Sequence, residues 1–163
     1  MTQTQSSNSF SAAYGQLYFT DPQYIELTLD DAWEPIPFDT FGTSNQVIGS
    51  TSPIPRMTIE TAGVYQISLN IYFSSEESME GTFTQTTYTI GMSINGSPTI
   101  TPYAAIYCSQ PGYFSLNYNL LQELSENDFI QFYIKTSITG GDPIFNNIIR
   151  LNQGNAHLVQ IAE

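Results

Sequence analysis

Ala62-Gly63-Val64-Tyr65-Gln66-Ile67-Ser68-Leu69-Asn70-Ile71-Tyr72-Phe73 is the stretch that decides the fold class. Tyr65, Ile67, Leu69, Ile71 and Phe73 alternate with Val64, Gln66, Ser68, Asn70 and Tyr72. Successive side chains of a strand point to opposite faces, so the first set makes one apolar face and the stretch reads as a half-buried strand. Gly63 sits just before it, where a tight turn needs a residue free to take positive φ.

The same pattern recurs downstream. Tyr88, Ile90, Met92 and Ile94 share one face of a strand over Tyr88–Ile94, and Asn95-Gly96 follows. That dipeptide is the strongest short hairpin signal, because both turn residues need positive φ. The returning strand falls near Ile100–Tyr107. Over Tyr113–Leu121, Phe114, Leu116, Tyr118 and Leu120 alternate with Ser115, Asn117 and Asn119. A turn at Ser125-Glu126-Asn127-Asp128 then leads into Phe129–Ile134, which is apolar or aromatic on both faces apart from Gln131. A strand covered on both sides reads this way, one side being core and the other a subunit contact. The last strand falls at Ala156–Ile161, and Tyr14–Phe19 and Tyr24–Leu29 read as the first two. Ser74–Thr86 and Thr136–Asn147, with Gly140-Gly141-Asp142-Pro143, read as loops. Helical periodicity is poor, and Thr, Ile and Tyr favour strands. The expectation is an all-β domain with Tyr65, Ile67, Leu69, Ile90, Met92, Phe114, Leu116 and Tyr118 in its core.

Composition narrows the function. The 163 residues suit one domain, preceded by a flexible polar arm over residues 1–10, with the domain itself at 11–163. Charged residues are 11% of the chain, so its surface is built largely from Thr, Ser, Asn and Gln. Fifteen acidic residues stand against Arg56, Lys135 and Arg150, a net charge of -12. Three scattered cations supply no nucleic-acid footprint and no hold on an anionic membrane. The acidity serves solubility or a cationic partner. Met1 to Ser9 has neither a basic start nor an apolar run, so a classical secretion signal is not expected, and no stretch is apolar enough to span a bilayer. Cys108 has no partner in the chain and is expected to be a buried thiol.

Several motifs together resemble a known family. Ala62-Gly63-Val64-Tyr65-Gln66-Ile67-Ser68 is similar to the signature strand of C1q-like domains. Met92-Ser93-Ile94-Asn95-Gly96 resembles the strand that follows it there, and Leu121 to Asp128 resembles a Leu-x-x-Gly-Asp stretch with Asn127 in place of the glycine. Ala13-Tyr14-Gly15, Ile36-Pro37-Phe38-Asp39 and Asn155-Ala156-His157-Leu158-Val159 resemble, in order and spacing, the C-terminal domain of the Bacillus collagen-like spore surface glycoprotein. The resemblance runs from about Ser11 to Glu163. It implies a ten-stranded antiparallel jelly-roll β-sandwich of the C1q/TNF-like type, assembled as a tight homotrimer without enzymatic activity. It also implies a place on a spore or particle surface, in an exosporium-like layer. The chain carries no collagen repeat, which favours a free-standing role over the tip of a stalk.

Candidate sites are few. The sole histidine, His157, would have to serve any Ser-His-Asp triad, and no Gly-x-Ser-x-Gly elbow is present. One Cys and one His exclude a standard zinc site. No other cofactor is expected. Calcium prefers carboxylates, and Asp30, Asp31, Glu126 and Asp128 are its candidates, with the Glu76, Glu77 and Glu80 cluster. Eleven Tyr and ten Phe exceed what one small core needs, and such residues are enriched at interfaces. Tyr72, Tyr113, Phe129, Tyr133 and His157 are the interface candidates. Trp33 either seals one end of the sandwich or, with Tyr103 and Tyr107, anchors a ligand. Two functions remain open: a structural unit of a spore or similar surface layer, contacting other surface-layer proteins, or a receptor- or glycan-binding head of the kind found on a phage fibre or in a lectin.

Overall fold

The computed structural model describes residues 11–27, 31–75, 85–97, 99–108, 112–139 and 147–162. The polar arm, Asp30, the Glu76, Glu77 and Glu80 cluster and Gly140-Gly141-Asp142-Pro143 lie outside them.

Among the described residues every regular element is a strand: β1 Tyr14–Tyr18, β2 Gln23–Leu27, β3 Glu34–Pro35, β4 Thr40–Phe41, β5 Val47–Ser50, β6 Arg56–Ile59, β7 Gly63–Ser75, β8 Gln85–Ile94, β9 Thr101–Cys108, β10 Gly112–Leu124, β11 Phe129–Thr139 and β12 Asn147–Ala162. Ten of these have four residues or more, and β3 and β4 are two-residue pieces. One sheet runs β10-β7-β12-β1-β4, with β2 also on β12; the other runs β5-β6-β11-β8-β9, with β3 also on β11. All pairings are antiparallel. The chain crosses from one sheet to the other at β2–β3, β3–β4, β4–β5, β6–β7, β7–β8, β9–β10, β10–β11 and β11–β12. That alternation winds the sandwich as a jelly roll, with inner faces packed on a shared core.

The core follows from the alternation. Tyr65, Ile67, Leu69, Ile71 and Phe73 are at most 1% exposed. Ile90 and Met92 of β8 and Ile130, Phe132 and Ile134 of β11 are buried in the opposite sheet. Rings organise the packing: Phe73 lies 4.9 Å from Tyr88 and 5.6 Å from Phe114, and Phe38 stacks on Phe19 at 4.9 Å and meets Phe132 edge-on at 6.1 Å. The buried Tyr65 hydroxyl donates to the Thr61 carbonyl, so the ring enters the core with its polar tip satisfied. Phe114 and Tyr118 are only partly buried, because β10 is an edge strand of its sheet.

The turns do what their residues demand. Asn95 has φ 56° and Gly96 φ 62°, closing the β8–β9 hairpin with a Ser97 N–H to Ile94 carbonyl bond of 3.1 Å. Asn127 takes φ 70° in the β10–β11 turn, the job a glycine would do there. Asp128 ties the two turns together: it accepts from Asn95 Nδ2 at 2.7 Å and from the Ser125 N–H at 2.8 Å, while Asn95 Oδ1 accepts the Phe129 N–H at 2.9 Å. Gly96→Val should lower stability by about 1–2 kcal/mol, since a β-branched residue resists positive φ. Chemical unfolding checks it; an unchanged midpoint would mean that the turn does not need this glycine.

One irregularity lies on the outer strand β9. Gly91 pairs with Pro102 and Ile90 with Ala104, so Tyr103 is left over as a bulge. Its ring turns inward onto Tyr118 of β10, 4.9 Å away.

Candidate functional site

The outer face of the first sheet is a ladder of rows across β1, β12, β7 and β10. Tyr14, Val159, Gln66 and Leu121 form one row; Gln16, His157, Ser68 and Asn119 the next; Tyr18, Asn155, Asn70 and Asn117 the third. Gln153, Tyr72 and Ser115 follow. None of these positions is charged, in a chain whose net charge is -12. The first row holds exposed apolar groups: Tyr14, Val159 and Leu121 are 42, 40 and 63% exposed. At the other end Tyr72 and Tyr113 stack at 5.9 Å with rings 12° apart. Between them lie amides and hydroxyls, with Asn70 Nδ2 donating to Asn155 Oδ1 at 3.2 Å.

The structure therefore groups Tyr72, Tyr113 and His157 on one face. His157 has only Gln16, Ser68 and Asn119 in its row, so no carboxylate there orients it as a triad would require. Phe129 and Tyr133 stand on β11 in the other sheet. Arg56 lies over the Phe129 ring at 5.1 Å, and the Tyr133 hydroxyl donates to Gln131 Oε1 at 3.3 Å. Tyr14, Val159 and Leu121 stand on the same face and were not singled out in the sequence. Their strand partners, which put them in one row, cannot be read from any one strand.

The ligand candidates are dispersed. Trp33 sits close over Gly91 with Lys135 5.0 Å above its ring, and Lys135 pairs with Asp31 at 2.8 Å. A cation on the indole face makes Trp33 a part of the outer layer of the second sheet. Tyr103 is turned onto Tyr118, and Tyr107 remains 55% exposed on β9. Among the described residues no three His, Cys, Asp or Glu side chains gather as metal ligands. Asp31 and Asp128 hold protein partners, as given above. Cys108 is buried, and burial pushes its thiol up to about 11, which keeps it protonated and unreactive at neutral pH.

A cleft of about 370 Å³ lies between Pro35, Pro37, Phe38, Asp39, Thr51, Pro53 and Pro55. Its one carboxylate is already used. Asp39 accepts from the Thr20 N–H at 2.9 Å, Thr20 Oγ1 at 3.0 Å, Gln23 Nε2 at 3.0 Å and Thr40 Oγ1 at 2.8 Å. Desolvation works to raise its pKa, but the hydrogen bonds from Thr40 and Thr20 outweigh it and hold the carboxyl below its ordinary value. A depressed folded value stabilises the native state at neutral pH and is lost as pH falls through that value. Asp39→Asn should therefore lower the unfolding midpoint at neutral pH, and the gap from the parent should narrow in acid. A gap that stays constant with pH would deny the carboxylate this role.

No family model matches the chain, and no curated protein matches its sequence. Solved structures do. The Eiger TNF of S. frugiperda is 12% identical, with 93% of this chain and 92% of that chain covered and a TM-score of 0.51. Murine APRIL is 12% identical, with 93 and 100% covered and a TM-score of 0.53. The globular domain of zebrafish complement 1qA protein is 10% identical, with 93 and 98% covered and a TM-score of 0.55.

The fold is the C1q/TNF-like jelly roll. At these identities the likeness is one of architecture, and it extends over nearly the whole chain. In this jelly roll the uncharged ladder is the middle of the outer face of the sheet that holds the first and last strands, bounded by Glu123 at one end and Arg150 at the other.

Proposed function

We propose that the chain is a non-catalytic homotrimeric surface protein, three copies packing through the outer face of the β10-β7-β12-β1 sheet around a threefold axis. The observation that carries this reading is the uncharged ladder. Copies with a net charge of -12 repel one another, and depletion of charge marks the centre of an interface. Exposed Tyr14, Leu121 and Val159 at one end of the ladder supply apolar area, and the stacked Tyr72 and Tyr113 at the other end stand at the margin of the contact. Closed rotational symmetry then limits the number of copies. The sequence likeness to the Bacillus spore-surface domain favours a place in a spore outer layer, in contact with other layer proteins.

Light scattering at neutral pH, with and without a calcium chelator, tests the assembly. A mass of three chains supports it, and a stable monomer overturns it. A trimer that falls apart on chelation assigns calcium a part in holding it. Removing Met1 to Ser9 tests the layer role: loss of incorporation into the spore coat, with the trimer intact, supports docking through the arm, and normal incorporation denies it.

A further inference from the structure

Beyond the uncharged ladder, the next row of the same sheet is different. Tyr24 of β2 pairs with Arg150 of β12, Arg150 with Ser74 of β7, and Ser74 with Tyr113 of β10. Ser74, on the outward side of β7 by the strand's alternation, is small and 9% exposed. Strands are spaced about 4.8 Å apart, so Arg150 and Tyr113 rise about 10 Å from each other across it. The row is thus a trough, floored by Ser74. One wall is Tyr113, stacked on Tyr72; the other is Arg150, its guanidinium 5.9 Å from the centre of the Tyr24 ring. Asn152 Nδ2 donates to Ser74 Oγ at 3.2 Å, which adds an amide to the floor. Glu26 and Ile148 form the row beyond.

Arg150 is the anomaly. It is half-buried, in a chain with fifteen carboxylates, yet no described carboxylate lies within ion-pair distance of it, and its Nε–H is buried without an acceptor. Lys135, the other half-buried cation, has Asp31. Buried cations are normally paired, and an arginine fork matches a carboxylate. Tyr113 and Tyr24 are 71 and 60% exposed, so both rings present an open face or edge.

We propose that this trough binds an acidic saccharide. The carboxylate of a uronic-acid-type ring would sit on the Arg150 guanidinium, the ring would lie against Tyr113, and its hydroxyls would meet Ser74 and Asn152. The width suits one sugar ring. The site is formed within a single chain, and the assembled protein is the form to test.

The probe is methyl glucuronide, titrated into the full chain and followed by saturation-transfer NMR and calorimetry, with methyl glucoside and acetate in parallel. Saturable binding of the glucuronide, at least about tenfold tighter than of either control, is expected, a difference of about 1.4 kcal/mol. Arg150→Met should abolish it and Tyr113→Ser weaken it, while Tyr107→Ser, on β9, should leave it unchanged. Mass and melting of each variant establish that it is folded. Absence of saturable binding by the parent protein, binding retained in Arg150→Met, or acetate bound as tightly as the glucuronide would each overturn the proposal.

Discussion

Phe73→Ala should destabilise the protein by about 3–5 kcal/mol, the range for truncating a fully buried aromatic ring. Phe73 is 0% exposed, and its ring lies against Tyr88 from the opposite sheet and Phe114 from the neighbouring strand. Truncation removes both ring contacts and leaves a hole at the junction of the two layers. β7 is flanked by β10 and β12 over its whole length, so its backbone is held on both sides and the hole is not easily closed. Urea unfolding at fixed protein concentration reads the effect, since association adds to apparent stability by mass action. A loss below about 1 kcal/mol would mean that the cavity collapses and that the inter-sheet packing is looser than the ring distances indicate.

Asn70→Asp should convert the proposed trimer into a monomer. Asn70 lies between Asn155 and Asn117 in the middle of the uncharged ladder. A carboxylate there would be desolvated in each of three copies, with no Lys or Arg in its row or the two adjoining ones. An uncompensated buried charge costs several kcal/mol, roughly a hundredfold or more in association. Asn70→Ser keeps a neutral hydrogen-bonding group and should leave the mass unchanged. Light scattering on the two variants separates charge from shape. A trimer that survives Asn70→Asp would move the contact surface off this face.

The long strands were legible because one face of each is buried and the other is not. Tyr65 to Phe73 alternate without a break, and Asn95-Gly96 and Asn127 mark their turns by the conformations they tolerate. The stretch from β3 to β6 was not legible. Pro35, Pro37, Pro53 and Pro55 interrupt it, its pieces are two to four residues long, and three of the four are fixed by a distant partner: β3 and β6 by β11, β4 by β1. Distance along the chain also hid the candidate sites. Alternation places Tyr72 or Arg150 on an outer face, but only the register of β7, β10 and β12 brings Ser68 beside His157, or Ser74 between Arg150 and Tyr113. Phe129 and Tyr133 were grouped with Tyr72 as interface candidates, and only the sheet order shows that they stand in the other sheet.

The bulge at Tyr103 matters for what happens when many copies crowd together. β9 ends its sheet, and a straight, uncharged edge of that kind would let strands of neighbouring molecules join it without limit. Pro102 lacks an N–H to offer, and the extra residue puts the edge out of step beside it. Growth by strand addition is thereby discouraged at a rim that carries no Lys, Arg, Asp or Glu to block it, which leaves contacts between sheet faces, of the kind proposed above, as the favoured way for copies to meet.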